Sequence, residues 1–111
     1  GEVIEELCEK YDVEPKFIAA IIAGESGWGK SGVSNNPMSY RASGDLGKDS
    51  RGFGLFSSVE KGLEAGIRNI AGYKEKYGIA SIDIEHADQI GKIYCEGNSW
   101  STLIKSCYSR L

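Results

Sequence analysis

The chain has little with which to bind a metal or to staple itself together. Histidine occurs once, at His86, and the three cysteines, Cys8, Cys95 and Cys107, show no C-x-x-C spacing. A zinc centre of familiar spacing needs paired Cys or His ligands, so no metal site and no cofactor are expected. Three thiols are also no disulfide framework. Each reads as a small buried hydrophobe, with a Cys95–Cys107 bridge as the alternative. No apolar run approaches the ~20 residues that span a bilayer, which excludes a helical membrane span in this chain. A basic stripe is missing as well. Sixteen acidic residues against 13 basic ones give a formal net charge of −3, with the signs interspersed. That balance argues against a nucleic-acid partner. No secretory signal is present and the chain opens at Gly1, so a targeting segment is expected to lie outside it. The 111 residues suit one domain, 1–111, and an apolar share of 41% is enough for one core. A monomer is expected.

What is present is mostly helical spacing. Val3, Ile4, Leu7, Cys8 and Tyr11 form one stripe. Asp12 ahead of Pro15 suits a helix start, and Phe17, Ile18, Ile21 and Ile22 continue as a second stripe up to Gly24 and Glu25. From Ser26 to Ser58 the periodicity disappears and turn formers dominate, among them "NNP" and "SGD". Ser57 and Glu60 then fit a capping box. Val59, Leu63, Ile67 and Ile70 give a stripe that ends near Tyr77, with Gly78 as its C-cap. Ile90, Ile93 and Tyr94 predict a short helix closed by "EGN". Trp100, Leu103, Ile104, Cys107, Tyr108 and Leu111 predict the buried face of a last helix that begins after Asn98 or Ser99. The fold class is therefore mainly α, with about five helices and a long irregular lobe or short hairpin between helices 2 and 3. Loops of that length in a small domain are usually functional or disordered.

The stretch GESGWGKS, Gly24 to Ser31, satisfies the phosphate-loop pattern G-x-x-x-x-G-K-[ST]. A phosphate loop follows a strand and opens a helix whose N–H groups face the phosphates. Here a helix precedes Gly24, and the "GVSNNPMS" that follows holds a proline and turn formers. The match is read as chance. Glu25 is the more informative residue. It lies four residues after Ile21 and three after Ile22, on their apolar face if the helix reaches it. There, desolvation and the negative end of the helix dipole would both raise its pKa and suit it to general-acid work. The alternative from spacing alone is that Glu25 turns into solvent past Gly24.

"AIIAGESGWGKS" followed by "NNPMSYRASGD" resembles the N-acetylglucosaminidase family of bacterial cell-wall hydrolases, within the lysozyme-like superfamily. The family signature has an apolar helix ending in Glu-Ser-Gly-Trp-Gly and then an Asn-Asn-aromatic-Gly-Ile-Lys element. "FGLFSSVEKGLEAGIRNI" is similar to the family's next helix start, and "IGKIYCEGNSW" resembles its closing segment, where a tyrosine lies near the cleft. The resemblance runs from about Ile18 to the C-terminus. It departs from the family at "NNPMSYR", and the lobe from Tyr40 to Phe53, where members often carry a second acid, is short.

The resemblance implies an α+β lysozyme-like catalytic domain that cuts the β-1,4 glycan strands of peptidoglycan, outside the cell or at the cell wall. It makes Glu25 the acid that protonates the glycosidic oxygen. Tyr94 would help at the reacting sugar, or else be a core tyrosine with a satisfied hydroxyl. Asp45, or less readily Asp49, would serve as base or stabilise the sugar cation, or else be a solvated turn residue. Ser26, Asn36, Tyr40, Phe53 and Phe56 are the candidate substrate-binding residues, with turn roles open for Ser26 and Asn36. Gly54 would let the backbone approach the ligand. Trp28 and Trp100 are read as structural. A lysozyme, a lytic transglycosylase and a non-catalytic glycan-binding domain are the competing readings.

Overall fold

The computed structural model describes residues 2–25, 35–94 and 99–111. Among them are six α-helices: α1 (Glu2–Tyr11), α2 (Pro15–Glu25), α3 (Val59–Ala71), α4 (Tyr73–Tyr77), α5 (Ala87–Tyr94) and α6 (Ser99–Ser109). A 3-10 turn, Ile84–His86, leads into α5. No strand occurs among the described residues. The fold is mainly α, as the periodicity predicts, and α4 is the one helix shorter than two turns. None of these helices is long and apolar enough to cross a membrane.

Helix α2 is the central element. Phe17, Ile18, Ala20 and Ile21 are fully buried, and α2 packs chiefly on α6, while α1 lies on α3 and α5 on α6. The Phe17, Ile18 and Ile21 side chains each contribute about 1.5–3 kcal/mol relative to exposure. Pro15 occupies the first position of α2, where its missing N–H is no loss. Asp12 does not cap that helix. It ends α1 in the left-handed region at φ 55°, and the Lys74 ammonium donates to the carbonyls of Tyr11 and Asp12 at 3.2 and 2.8 Å. A cation at a helix C-terminus satisfies carbonyls that have no partner within the helix. Glu14 starts α2 instead, its carbonyl accepting from Ile18 N–H at 3.1 Å. Its carboxylate accepts from the Ile84 N–H and the Tyr108 hydroxyl at 3.1 and 2.7 Å, which fastens the start of α2 to two later elements.

Three further expectations are corrected. The N-cap of α3 is Ser58, whose hydroxyl accepts from Lys61 N–H at 3.2 Å; Ser57 points elsewhere. The stripe ending at Tyr77 is two helices, parted at Gly72, although Gly78 does close it in the left-handed region at φ 68°. Val59 and Leu111, assigned to apolar faces, are exposed. Cys8 and Cys107 are buried free thiols, and burial pushes the Cys8 thiol up to about 11. Cys95 and the "EGN" turn lie outside the described residues, as do Ser26 and Trp28.

The lobe from 35 to 58 has neither helix nor strand. Two isolated antiparallel bridges, Gly44–Gly47 and Lys48–Gly54, are all that remains of the alternative hairpin. The lobe docks on α3 at glycines. A Cβ on Gly62 would sit 1.7 Å from the Asn35 carbonyl oxygen, and one on Gly66 would sit 2.8 Å from Met38 Sδ. Two small residues on one helix face therefore let the loop backbone approach without a strand to hold it. The buried Met38 carries that face into the core.

Candidate active site

With the lobe docked on α3, a cleft of about 620 Å³ is lined by both the lobe and the C-terminal end of α2. Gly24 and Glu25 supply one part of its lining, Ser39, Tyr40, Arg41, Ala42 and Phe53 the lobe's part, and Asn69, Tyr73, Tyr94 and Leu103 the rest. The volume is in the range of small-ligand sites.

Glu25 is half-buried at the last position of α2. It reaches this position because Gly24, one residue earlier, presses on α6: a Cβ there would meet Ile104 Cδ1 at 2.9 Å. The Glu25 carboxylate accepts a hydrogen bond from the Trp100 indole N–H at 3.0 Å. The indole is 4% exposed and wedged between Phe17, with ring centroids 6.3 Å apart and edge-on, and Tyr94, 5.0 Å apart. An indole so enclosed has one orientation, so its N–H holds the carboxylate in one place. Helical spacing predicts Trp100 only as a core residue. Its role beside Glu25 joins residues 75 apart in sequence, and helical spacing carries no signal of it.

The structure brings four of the candidate residues, Glu25, Tyr40, Phe53 and Tyr94, to this one cleft. Tyr94 donates its hydroxyl to the Met38 carbonyl, so toward a substrate its proton is already committed and it can offer only its oxygen as acceptor. The Tyr40 ring leans on Phe56, with centroids 6.0 Å apart. Phe53 forms wall, while Phe56 is buried behind it and not among the lining residues.

The other candidates serve the lobe itself. Asn36 is 1% exposed. Its amide donates to the carbonyls of Tyr40 and Gly54, both at 3.0 Å, and accepts from Tyr40 N–H at 2.7 Å. That is the turn-forming reading: three bonds on one side chain replace a strand ladder. Gly54 admits no ligand. The space beside it is filled by the Ala42 carbonyl, 2.5 Å from a Cβ placed there, and by the Phe56 ring. Asp45 is not in the cleft lining. It accepts from the Ser57 hydroxyl at 2.6 Å and the Ser57 N–H at 3.1 Å, and pairs with Lys61 at 3.5 Å. The Ser57 hydroxyl, above all, holds its carboxyl below the usual range, against partial burial and with help from the Ser57 N–H and Lys61. It clasps the lobe to the start of α3. Asp49 organises the next turn. Burial pushes its carboxyl up, but the N–H groups of Phe53 and Arg51 outweigh that and leave it lowered.

Ser39, Arg41, Ala42, Asn69 and Tyr73 line the cleft without a site signal in the sequence, and Leu103 lines it from the face predicted for the last helix. Of these, only Ser39 and Arg41, on either side of Tyr40, adjoin a candidate residue. Tyr73 is half-buried, and burial raises its hydroxyl above the ordinary value despite the Asn69 hydrogen bond. No group of three or more metal-ligating side chains occurs among the described residues. Compared with protein-family models, curated proteins and solved structures, the chain matches none.

Proposed function

We propose that this chain is a peptidoglycan hydrolase that cuts the β-1,4 glycan strand as an N-acetylglucosaminidase, with Glu25 as general acid. The observation that carries this reading is the carboxylate of Glu25, bonded to the buried Trp100 indole at the wall of a cleft whose other lining includes the aromatic rings of Tyr40, Phe53, Tyr73 and Tyr94 and the amide of Asn69. Sugars bind such linings through their apolar faces and hydroxyl edges. The "GESGWG" resemblance points to the same residue. Peptidoglycan lies outside the cytoplasmic membrane, so the place of action is extracellular or cell-wall associated.

Glycoside cleavage passes through an oxocarbenium-like state. Glu25 gives its proton to the glycosidic oxygen as the bond from C1 to that oxygen breaks, and the sugar alcohol leaves. Asp45 is given no step, because Ser57 and Lys61 already hold its oxygens. The acetamido carbonyl oxygen of the substrate closes on C1 instead, the substrate-assisted route. Water then opens the resulting oxazolinium ring, and the Glu25 carboxylate takes the proton from that water. In this scheme Asn69 and Tyr40, which line the cleft, hold the sugar.

A lytic transglycosylase is favoured by a separate observation: Glu25 is the one carboxylate among the described lining residues. In that reaction Glu25 protonates the glycosidic oxygen as its bond to C1 breaks, and the resulting carboxylate then takes the proton of the muramic acid 6-hydroxyl as that oxygen bonds to C1, so no second acid is needed.

Digestion of purified peptidoglycan by the parent and by Glu25→Gln tests both. The new chain ends are identified by mass spectrometry after borohydride reduction. Reducing N-acetylglucosamine ends from the parent alone support the glucosaminidase. Reducing N-acetylmuramic acid ends mean a lysozyme and anhydro ends a transglycosylase. No new ends from either protein, on walls of several compositions, would sink the enzyme reading and leave a glycan-binding domain.

A further inference from the structure

The cleft that holds Glu25 also holds a cation. The Arg41 guanidinium lies over the Phe53 ring, 4.4 Å from its centroid, and Arg51 lies over the same ring at 4.9 Å. The ring is a fixed platform. Phe53 is buried, and its N–H donates to Asp49 Oδ1 at 3.0 Å. The two arginines differ in what balances them. Arg51 pairs with Asp49 at 3.2 Å. Among the described residues no carboxylate pairs with Arg41. Glu25 lines the same cleft and forms no ion pair with Arg41.

A guanidinium resting on an aromatic face leaves its edge for other partners. That edge carries N–H donors in a fixed fork, a geometry that matches a carboxylate. We infer that Arg41, seated on Phe53, is an anion subsite that makes this cleft prefer glycans bearing a carboxylate over neutral chitin-type strands. The carboxylate is either the lactyl group of muramic acid or an acid of the stem peptide. The inference rests on the glycan-cleft reading above and names the substrate class within it.

The test measures binding by calorimetry in the Glu25→Gln protein, so that turnover plays no part. Three ligands are compared: the N-acetylglucosamine–N-acetylmuramic acid disaccharide with its free lactyl carboxylate, the same disaccharide with its peptide, and neutral diacetylchitobiose. An exposed charged contact supports a preference of about five- to tenfold for a carboxylated ligand over the neutral one. Whichever carboxylated ligand is preferred identifies the source. Adding Arg41→Gln should bring that preference to within about twofold. Arg41→Lys should keep part of it, retaining charge but losing the fork. Equal binding of all three ligands by the Glu25→Gln protein overturns the inference and leaves the glycan reading standing, as does a preference that survives Arg41→Gln. Failure to bind any of them overturns both. Should Arg41→Gln not fold, salt carries the test. A preference unchanged between roughly 50 and 500 mM salt refutes an ionic origin, since screening shortens from over 10 Å to a few ångströms across that range.

Discussion

The Trp100–Glu25 hydrogen bond can be weighed on its own by a double-mutant cycle. Trp100→Phe keeps an aromatic ring beside Phe17 and Tyr94 but deletes the N–H that Glu25 accepts at 3.0 Å. A hydrogen bond to a charged group contributes roughly 1.5–3 kcal/mol. Glu25 is only half-buried, so solvent takes part of this, and a coupling of about 1–2 kcal/mol is expected. Trp100→Phe on its own costs more. The indole is 4% exposed, and the missing ring leaves a void worth about 1–2 kcal/mol, for a total of about 2–4 kcal/mol. The cycle uses Trp100→Phe, Glu25→Ala and the double variant, with urea unfolding followed by far-UV circular dichroism rather than fluorescence, because the fluorophore itself is being changed. Uncoupled sites add within roughly 0.3–0.5 kcal/mol. A coupling inside that band would refute the claim that the indole fixes the carboxylate, and Glu25 would then be a side chain that merely borders the cleft.

Two other perturbations test how the cleft is built. Gly62→Ala should destabilise by more than about 2 kcal/mol, although alanine in an open helix position gains roughly 0.5–1 kcal/mol over glycine; the obstacle is the Asn35 carbonyl oxygen 1.7 Å from the new Cβ. Gly66→Ala should cost less, because its clashes with Met38 Sδ at 2.8 Å and Cβ at 2.9 Å are much shallower than the 1.7 Å at Gly62, and thermal melts of the two variants should rank them so. A Gly62→Ala protein as stable as the parent would refute the docking of the lobe on α3. Glu64 provides a pH signature. The Lys10 ammonium first, then the Tyr11 hydroxyl, hold its carboxyl below the usual glutamate range. A depressed carboxyl contributes stability above its unfolded value of about 4.3 and loses it as pH falls through the folded value. Glu64→Gln should therefore flatten the acid side of the stability–pH curve, and an unchanged acid limb would show that the α1–α3 clasp contributes nothing.

Much of the helical layout was legible because helix periodicity is a local property. The stripe Phe17, Ile18, Ile21, Ile22 lies in α2, and Leu63, Ile67 and Ile70 face the core from α3. Errors came where local signals compete. Two adjacent serines offered a cap, and Asp45 took Ser57, leaving Ser58 for the helix. Gly72 parted a stripe that spacing alone ran through to Tyr77. Val59 and Leu111 sit at helix margins, where periodic position no longer guarantees a neighbour to bury against.

For the candidate site, residue type and order drew attention to Glu25, Tyr40, Phe53 and Tyr94 before any geometry. That Glu25 turns inward depended on α6 crossing the end of α2, with Ile104 and Leu103 against Gly24 and Trp100 donating to the carboxylate. Asn36 and Asp45 drew the same attention, and the fold uses both to hold the lobe. A polar side chain in a loop looks alike in sequence whether it faces a cleft or replaces a missing strand. Its partners are carbonyls and hydroxyls far along the chain, and only the path of the backbone brings them within hydrogen-bond reach. The sequence by itself determined where most of the helices lie and most of their apolar faces, because both depend on neighbours three and four residues away. The tertiary structure alone decided which polar groups meet, because that depends on how the helices cross.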